Sequence, residues 1–247
     1  MDSMVLVALA VCAGAALQRL TGMGLALVAA PFLVLIMGPV TGVVLVNFCG
    51  ATASILVLCR VFMHVDWKKY AILGPSAVLG VFPGVLIVGA LPGPWLEMGV
   101  GCVVLVALTT SLTLRGSTVG AGVRPLMLAG AASGIMGATA GIGGPAISVY
   151  AVVSNWEQRA FAATLQPCFF TTGVTSLVVK YLASPQIMPP DLGDMMAWAG
   201  VGILSGLCLG ELLTRWIRPA RARILAVGIA YAGAAGAMLR GILGLWT

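Results

Sequence analysis

The chain has 247 residues, of which 60% are hydrophobic and only 8% charged, and its mean hydropathy is +1.10. A soluble domain carries about 25% charged residues, so the composition excludes a water-soluble globular fold and gives a polytopic membrane protein in contact with the lipid bilayer. The net charge of +6 does not mark a nucleic-acid binder, because the Lys and Arg residues stand at the ends of apolar segments without forming a basic face.

The first apolar segment runs from Met4 to Leu17, with Asp2 and no basic residue ahead of it, so it is expected to stay in the mature protein rather than be cleaved as a signal peptide. The segments Gly24 to Met37, Val40 to Met63, Lys69 to Leu91 and Trp95 to Leu114 come next. After the linker at 115–124, five more apolar segments run Pro125 to Thr139, Pro145 to Ser154, Arg159 to Ala183, Asp194 to Arg218 and Arg221 to Trp246. Residues 1–114 and 125–247 are thus read as two membrane repeats. The last three segments of each half approach or exceed the ~20 residues needed to cross the hydrocarbon core. The first two, at about 10 to 16 residues and 1.5 Å of rise each, do not. Each short pair therefore predicts a helical hairpin, or a broken helix, that turns at a Gly-rich tip inside the protein, the only surroundings that tolerate irregular backbone at membrane depth.

A doubled fingerprint supports the division. TGMG at Thr21 to Gly24 matches AGIG at Ala140 to Gly143, Asn47 matches Gln166, and Thr52 matches Thr171. Each match has an offset of 119 residues (141 − 22, 166 − 47, 171 − 52). The insertion PQIMPP, Pro185 to Pro190, displaces the remainder of the second half, so that Gly80 and Gly84 match Gly206 and Gly210 seven residues later in register. Each of these pairs is a GxxxG, for which close helix packing is the expected role.

Charge placement supplies an orientation. Nine of the thirteen basic residues lie in the Lys68 and Lys69 turn, the central linker, the loop with Arg159 and the RWIRPARAR stretch (Arg215, Arg218, Arg221, Arg223), which the positive-inside rule assigns to the cytoplasm. Lys180, Arg240, Asp191 and Asp194 fall on the other side, with both termini. The two halves then enter the membrane in opposite senses, and the predicted fold is all-α with two inverted five-segment repeats, each opening on a short Gly-interrupted hairpin.

At both tips the glycines precede a new apolar helix, whose first N–H groups and positive dipole end attract anions. The second tip is GATAGIGGP at Gly137 to Pro145, and Pro145 suits the first turn of that helix. The candidate lining is Gly22 and Gly24 at the first tip with Gln18, Arg19 and Thr21, and Gly141, Gly143 and Gly144 at the second with Thr139. A Cβ on Gly143 is expected to block the close approach of the backbone or to forbid a positive φ. Tight packing is the competing role for these glycines. Asn47 and Gln166, equivalent carboxamides with Thr52 and Thr171 beyond them, either line the cavity or form an interhelical hydrogen bond. Arg19 either balances an anion or is a flanking charge.

The remaining chemistry is sparse. The cysteines (Cys12, Cys49, Cys59, Cys102, Cys168, Cys208) are scattered singly and read as packing residues, and His64 reads as a loop residue beside Asp66, so no metal or other cofactor is expected. Acids fall in or next to loops, except that Glu211 stands four residues before Arg215, suited to an ion pair. Without a carboxylate near the midplane, coupling falls to the substrate's own charge and proton. The sequence carries no embedded catalytic set for an intramembrane enzyme, while a non-transporting membrane subunit stays open.

The motif GATAGIGGPAISVY, Gly137 to Tyr150, resembles the sulfite exporter TauE/SafE family, the TSUP permeases. The resemblance implies a bacterial inner-membrane transporter of small sulfur-containing anions such as sulfite, sulfoacetate or other organosulfonates. A permease for another small organic anion such as a carboxylate is the alternative, and a homo-oligomer is compatible with either. The first copy, TGMGLALVAAPFLVL, keeps Gly22, Gly24 and Pro31 but has Leu25 where the family continues its glycine run, which weakens the first tip as a binding element.

Overall fold

The computed structural model describes residues 2–21, 25–113, 122–183, 191–213, 216 and 219–246. Among them the chain is helical: α1 (Asp2–Thr21), α2 (Leu25–Met37), α3 (Pro39–Val61), α4 (Trp67–Ala90), α5 (Gly93–Thr113), α6 (Val123–Ala140), α7 (Gly144–Val153), α8 (Gln158–Ala183), α9 (Leu192–Leu213) and α10 (Pro219–Gly244), with one 3₁₀ turn at Phe62–His64. Most of the central linker (residues 115–121), the PQIMPP insertion, Arg215, Arg218 and Thr247 lie outside the described residues.

Six of these helices are long and apolar enough to cross a membrane, α1 among them. This corrects the expectation of two short segments opening the first half. α1 has 20 residues, about 30 Å of helix, because Gln18, Arg19 and Leu20 are good helix formers and carry the helix past its last strongly apolar turn. α6 likewise reaches 18 residues. Only α2 and α7, with 13 and 10 residues, are short, so each hairpin joins one long arm to one short arm.

Polar caps fix the loop ends of the long helices. Asp66 accepts from Lys69 N at 3.1 Å and starts α4. Glu157 accepts from Ala160 N at 2.7 Å and Arg159 N at 2.9 Å at the start of α8, and these donors hold its carboxyl below the usual carboxylate range. His64 lies in the 3₁₀ turn, as a loop residue should. The described cysteines are all free, and only Cys49 and Cys168 are buried.

The most extensive helix contacts are α4 with α6 and α1 with α9, followed by α5 with α10 and α3 with α8. Exchanging α1 to α5 with α6 to α10 maps this set of pairs onto itself. The GxxxG pairs sit at the first two contacts, in the packing role expected of them. A Cβ on Gly84 of α4 would stand 2.7 Å from Ala138 Cβ of α6, and Gly80 faces the Ala131 carbonyl. On α9, Gly206 faces the Cys12 carbonyl with Ala15 Cβ 2.8 Å from where its Cβ would be, and Gly210 faces Ala16 and Arg19. Backbone lies against backbone there, so no flexible side chain can yield. Gly206→Val is therefore expected to lower stability in detergent by roughly 2 kcal/mol or more, read as a fall in the thermal midpoint. An unchanged midpoint would show that α1 and α9 do not depend on this approach.

Candidate functional site

The second tip is built by three glycines with three different duties. Gly141 ends α6 in the left-handed region at φ 74°, donating to the Gly137 carbonyl at 3.0 Å, which is the usual way a helix is stopped by glycine. A Cβ there would also come within 2.5 Å of Val46 Cγ1 on α3, next to Asn47. Gly143 differs from expectation. Its φ is −95°, and its missing Cβ points at Ser133 of α6, 2.5 Å from Oγ and 2.8 Å from the carbonyl oxygen. It closes the hairpin on its own long arm, so the space its hydrogen leaves is filled by protein and not by a ligand. Gly144 opens α7 and faces Phe169 of α8, with the ring 3.1 Å from where a Cβ would be.

The first and second tips are unequal. Leu25 N, the first donor of α2, is taken by Gln18 Oε1 at 3.0 Å across the hairpin, in a buried setting. Gln18 is thus a cap that seals the first helix start. At the offset of 119 its equivalent is Gly137 (137 − 18), and Leu25 corresponds to Gly144 (144 − 25). No side chain caps α7. Gly22 and Gly24 lie outside the described residues, as does the side chain of Thr21.

Between the hairpins lies the seam of α3 and α8. Asn47 Nδ2 donates to Ser176 Oγ at 3.0 Å, both residues being buried, which realises the interhelical hydrogen bond weighed for it. The missing Cβ of Gly173 leaves the backbone of α8 close to the Asn47 carbonyl, 2.8 Å from where that atom would be. Gln166 Nε2 donates to the Ala162 carbonyl of its own helix at 3.1 Å, while its Oε1 is buried with no partner. Pro167 comes next and removes one backbone donor from α8, leaving the Ala163 carbonyl without its helical hydrogen bond.

The hydroxyls are mostly bound elsewhere. Thr139 Oγ1 donates to the Ile135 carbonyl at 2.8 Å, and Thr171 Oγ1 is 2.7 Å from Tyr70 Oη, tying α8 to α4. Thr52 is partly buried on α3. Arg19 turns away from Gln18: its Nε lies 2.6 Å from Glu211 Oε2 of α9, and its side chain is 39% exposed. The reading of Arg19 as the anion's balancing charge is corrected accordingly, since its direction on α1 carries it to the outer α1 and α9 flank. Glu211 is the acid that Arg19 meets, and Arg215, expected to face it, lies outside the described residues.

Two polar groups are not foreseen from the sequence. Ser133 is wholly buried beside Gly143 with an unpartnered Oγ, and the signal for it was a lone hydroxyl four residues before Gly137 on an otherwise small, apolar face. Lys180 of α8 is also wholly buried, with no partner for Nζ. Glu97, read as an acid at the loop edge, is buried near the start of α5 and pairs with Arg240 at 3.6 Å, while Arg240 also donates to the Leu35 carbonyl at the end of α2.

A polytopic helical protein with buried, unpartnered polar atoms on α6 and α8 has the parts of a permease, and the comparison with known families agrees. The family model described as sulfite exporter TauE/SafE matches residues 6–238. The chain belongs to the TauE/SafE sulfite exporter family. No curated protein and no solved structure matches it. TauE/SafE proteins are membrane permeases for sulfur-containing anions, so this TauE/SafE chain is a multi-pass membrane protein of a transporter family, and its match spans both glycine tips and the α3 and α8 seam.

Proposed function

We propose that this TauE/SafE protein moves a small sulfur-containing anion, sulfite or an organosulfonate such as sulfoacetate, across a bacterial inner membrane, holding it against the N-terminus of α7. The observation that carries the reading is the uncapped α7 start at Gly144, when the matching helix start at Leu25 is capped by Gln18. The donors of a helix N-terminus need an acceptor, and an anion supplies it. The buried, unpartnered Ser133 Oγ beside Gly143 adds a hydroxyl, and Gln166 Oε1 adds an acceptor. An acceptor oxygen suits a protonated anion, and hydrogensulfite brings its own proton, in keeping with coupling through the substrate. In this reading Asn47 holds the seam to Ser176 while Gln166 faces the permeant, and Gln18 shapes the first tip.

The swap-symmetric packing of α4 with α6 and α1 with α9 supports two equivalent repeats, and the charge distribution supports their inversion, with both termini outside the cytoplasm.

The test is flux of labelled sulfite, sulfoacetate and a carboxylate into proteoliposomes, with Gln166→Leu beside the wild type. Sulfite flux is expected in the wild type, with a loss of about tenfold in the variant. The detergent midpoint of the variant should be unchanged or raised, because an unpartnered buried acceptor is removed. A carboxylate carried in preference to sulfite would replace the substrate class. Full sulfite flux through Gln166→Leu would remove Gln166 from the pathway.

A further inference from the structure

A lysine within a turn of a membrane helix end ordinarily extends its flexible stem outward and keeps its ammonium in water. Lys180 sits in the last turn of α8, yet it is 0% exposed. A second ordinary use of such a lysine is to cap the final carbonyls of its helix. Lys180 Nζ makes no hydrogen bond at all. The third is a buried ion pair. The helices packed on α8 are α3, α4, α6 and α7, and neither they nor α8 contain an Asp or Glu; their charged side chains, Arg60, Lys68, Lys69, Arg124 and Arg159, are all basic. The acids at their loop ends, Asp66 and Glu157, are committed to capping α4 and α8 at the end of α8 remote from Lys180.

The position adds direction. Lys180 comes after Gln166 and Gly173 at intervals of seven residues, so the three share one face of α8, the face that Gly173 presses on the Asn47 backbone. Ser176, which takes the Asn47 hydrogen bond, is one turn before it. Side chains on a helix lean toward its N-terminus, so the lysine stem runs back toward the Asn47 and Ser176 bond and away from the helix end.

We propose that Lys180 is the resident cation of the transport path, holding the permeating anion in the α3 and α8 seam at a second station beyond the Asn47 and Ser176 bond, toward the C-terminal end of α8. The inference rests on the permease reading and adds to it the one fully buried basic side chain among the described residues, for which the protein provides no counter-ion. The anion passes between the α7 donors and the Lys180 ammonium, and each station is vacated as the other is filled. Arg240, the other basic residue assigned to that side of the membrane, already has Glu97.

Sulfite is the probe, in full-length protein. Lys180→Met keeps the length and apolar stem while removing the charge, and it is expected to raise the KM for sulfite flux about tenfold or more. It should also diminish the sulfite-induced rise in thermal midpoint, leaving the part that the α7 donors contribute, with the midpoint of the ligand-free protein unchanged or higher. Lys180→Arg should retain both sulfite responses. An unchanged KM and an unchanged sulfite shift in Lys180→Met overturn the proposal while leaving the permease reading intact. Absence of flux for every anion in the wild type overturns the permease reading itself. If Lys180→Met and Lys180→Gln both fail to fold, the residue belongs to the scaffold, and the proposal falls on that result as well.

Discussion

Replacing Gly137 with Gln is expected to weaken sulfite binding about tenfold or more while leaving thermal stability unchanged or higher. The first half of the chain already contains this arrangement: Gln18, seven residues ahead of Leu25, delivers its carboxamide oxygen to the Leu25 N–H. Gly137 and Gly144 have the same spacing and hold the equivalent positions. A Cβ on Gly137 would meet nothing nearer than Thr172 Cβ at 3.9 Å, so the branch fits without displacing its neighbours. A glutamine there would take the Gly144 N–H for itself, contributing a cap of about 1 kcal/mol and filling the place of the anion. Calorimetry with sulfite decides the matter. A Gly137→Gln protein that folds and binds sulfite with undiminished affinity would separate the α7 N-terminus from the anion.

Gly141→Val is expected to act through the fold, with a loss of about 3 kcal/mol or more of stability and of transport together. Two penalties coincide. At φ 74° a β-branched residue is strained whatever the space around it, and the space is already occupied, because Val46 Cγ1 lies 2.5 Å from the position of the new Cβ. Relief by bending the tip would pull α7 away from α5 and α8 and misplace the Gly144 donor. Thermal midpoint and flux measured on the same preparation provide the check. A wild-type midpoint in Gly141→Val would refute the need for glycine at this stop. The two variants form a contrast: one loses binding with its scaffold intact, and the other loses both.

Much of this arrangement is legible in the residues. Long apolar runs mark the spans, and the 119-residue offset pairs Gly22 with Gly141 and Asn47 with Gln166, because side-chain polarity and glycine leave a mark on the sequence wherever they interrupt a membrane helix. Directions around a helix are harder to read. Arg19 is one residue past Gln18, 100° around α1, and that single step takes it from the buried hairpin to Glu211 on an exposed flank. The space left by Gly143 belongs to Ser133 for the same reason: periodicity says which residues share a face, and only the packed structure says what that face meets. Lys180 lies near the end of an apolar run, where a lysine ordinarily reaches water, so its complete burial is visible only once α3 and α8 are in contact.

The pairing of α1 with α9 and of α4 with α6 sets the order in which the chain can be assembled. α4 meets its partner soon after it is made, since the facing residues Gly84 and Ala138 are 54 positions apart. The face of α1 turned away from α2 has no such early partner, because the Cys12 carbonyl awaits Gly206, 194 positions later. At ribosomal speeds that is a delay of roughly 10 to 40 s, during which the small-residue face of α1 lies open to lipid or to the insertion machinery. The α4 and α6 half of the scaffold is therefore complete while the nascent protein is still emerging, and the molecule closes only when α9 has met α1 and α10 has met α5.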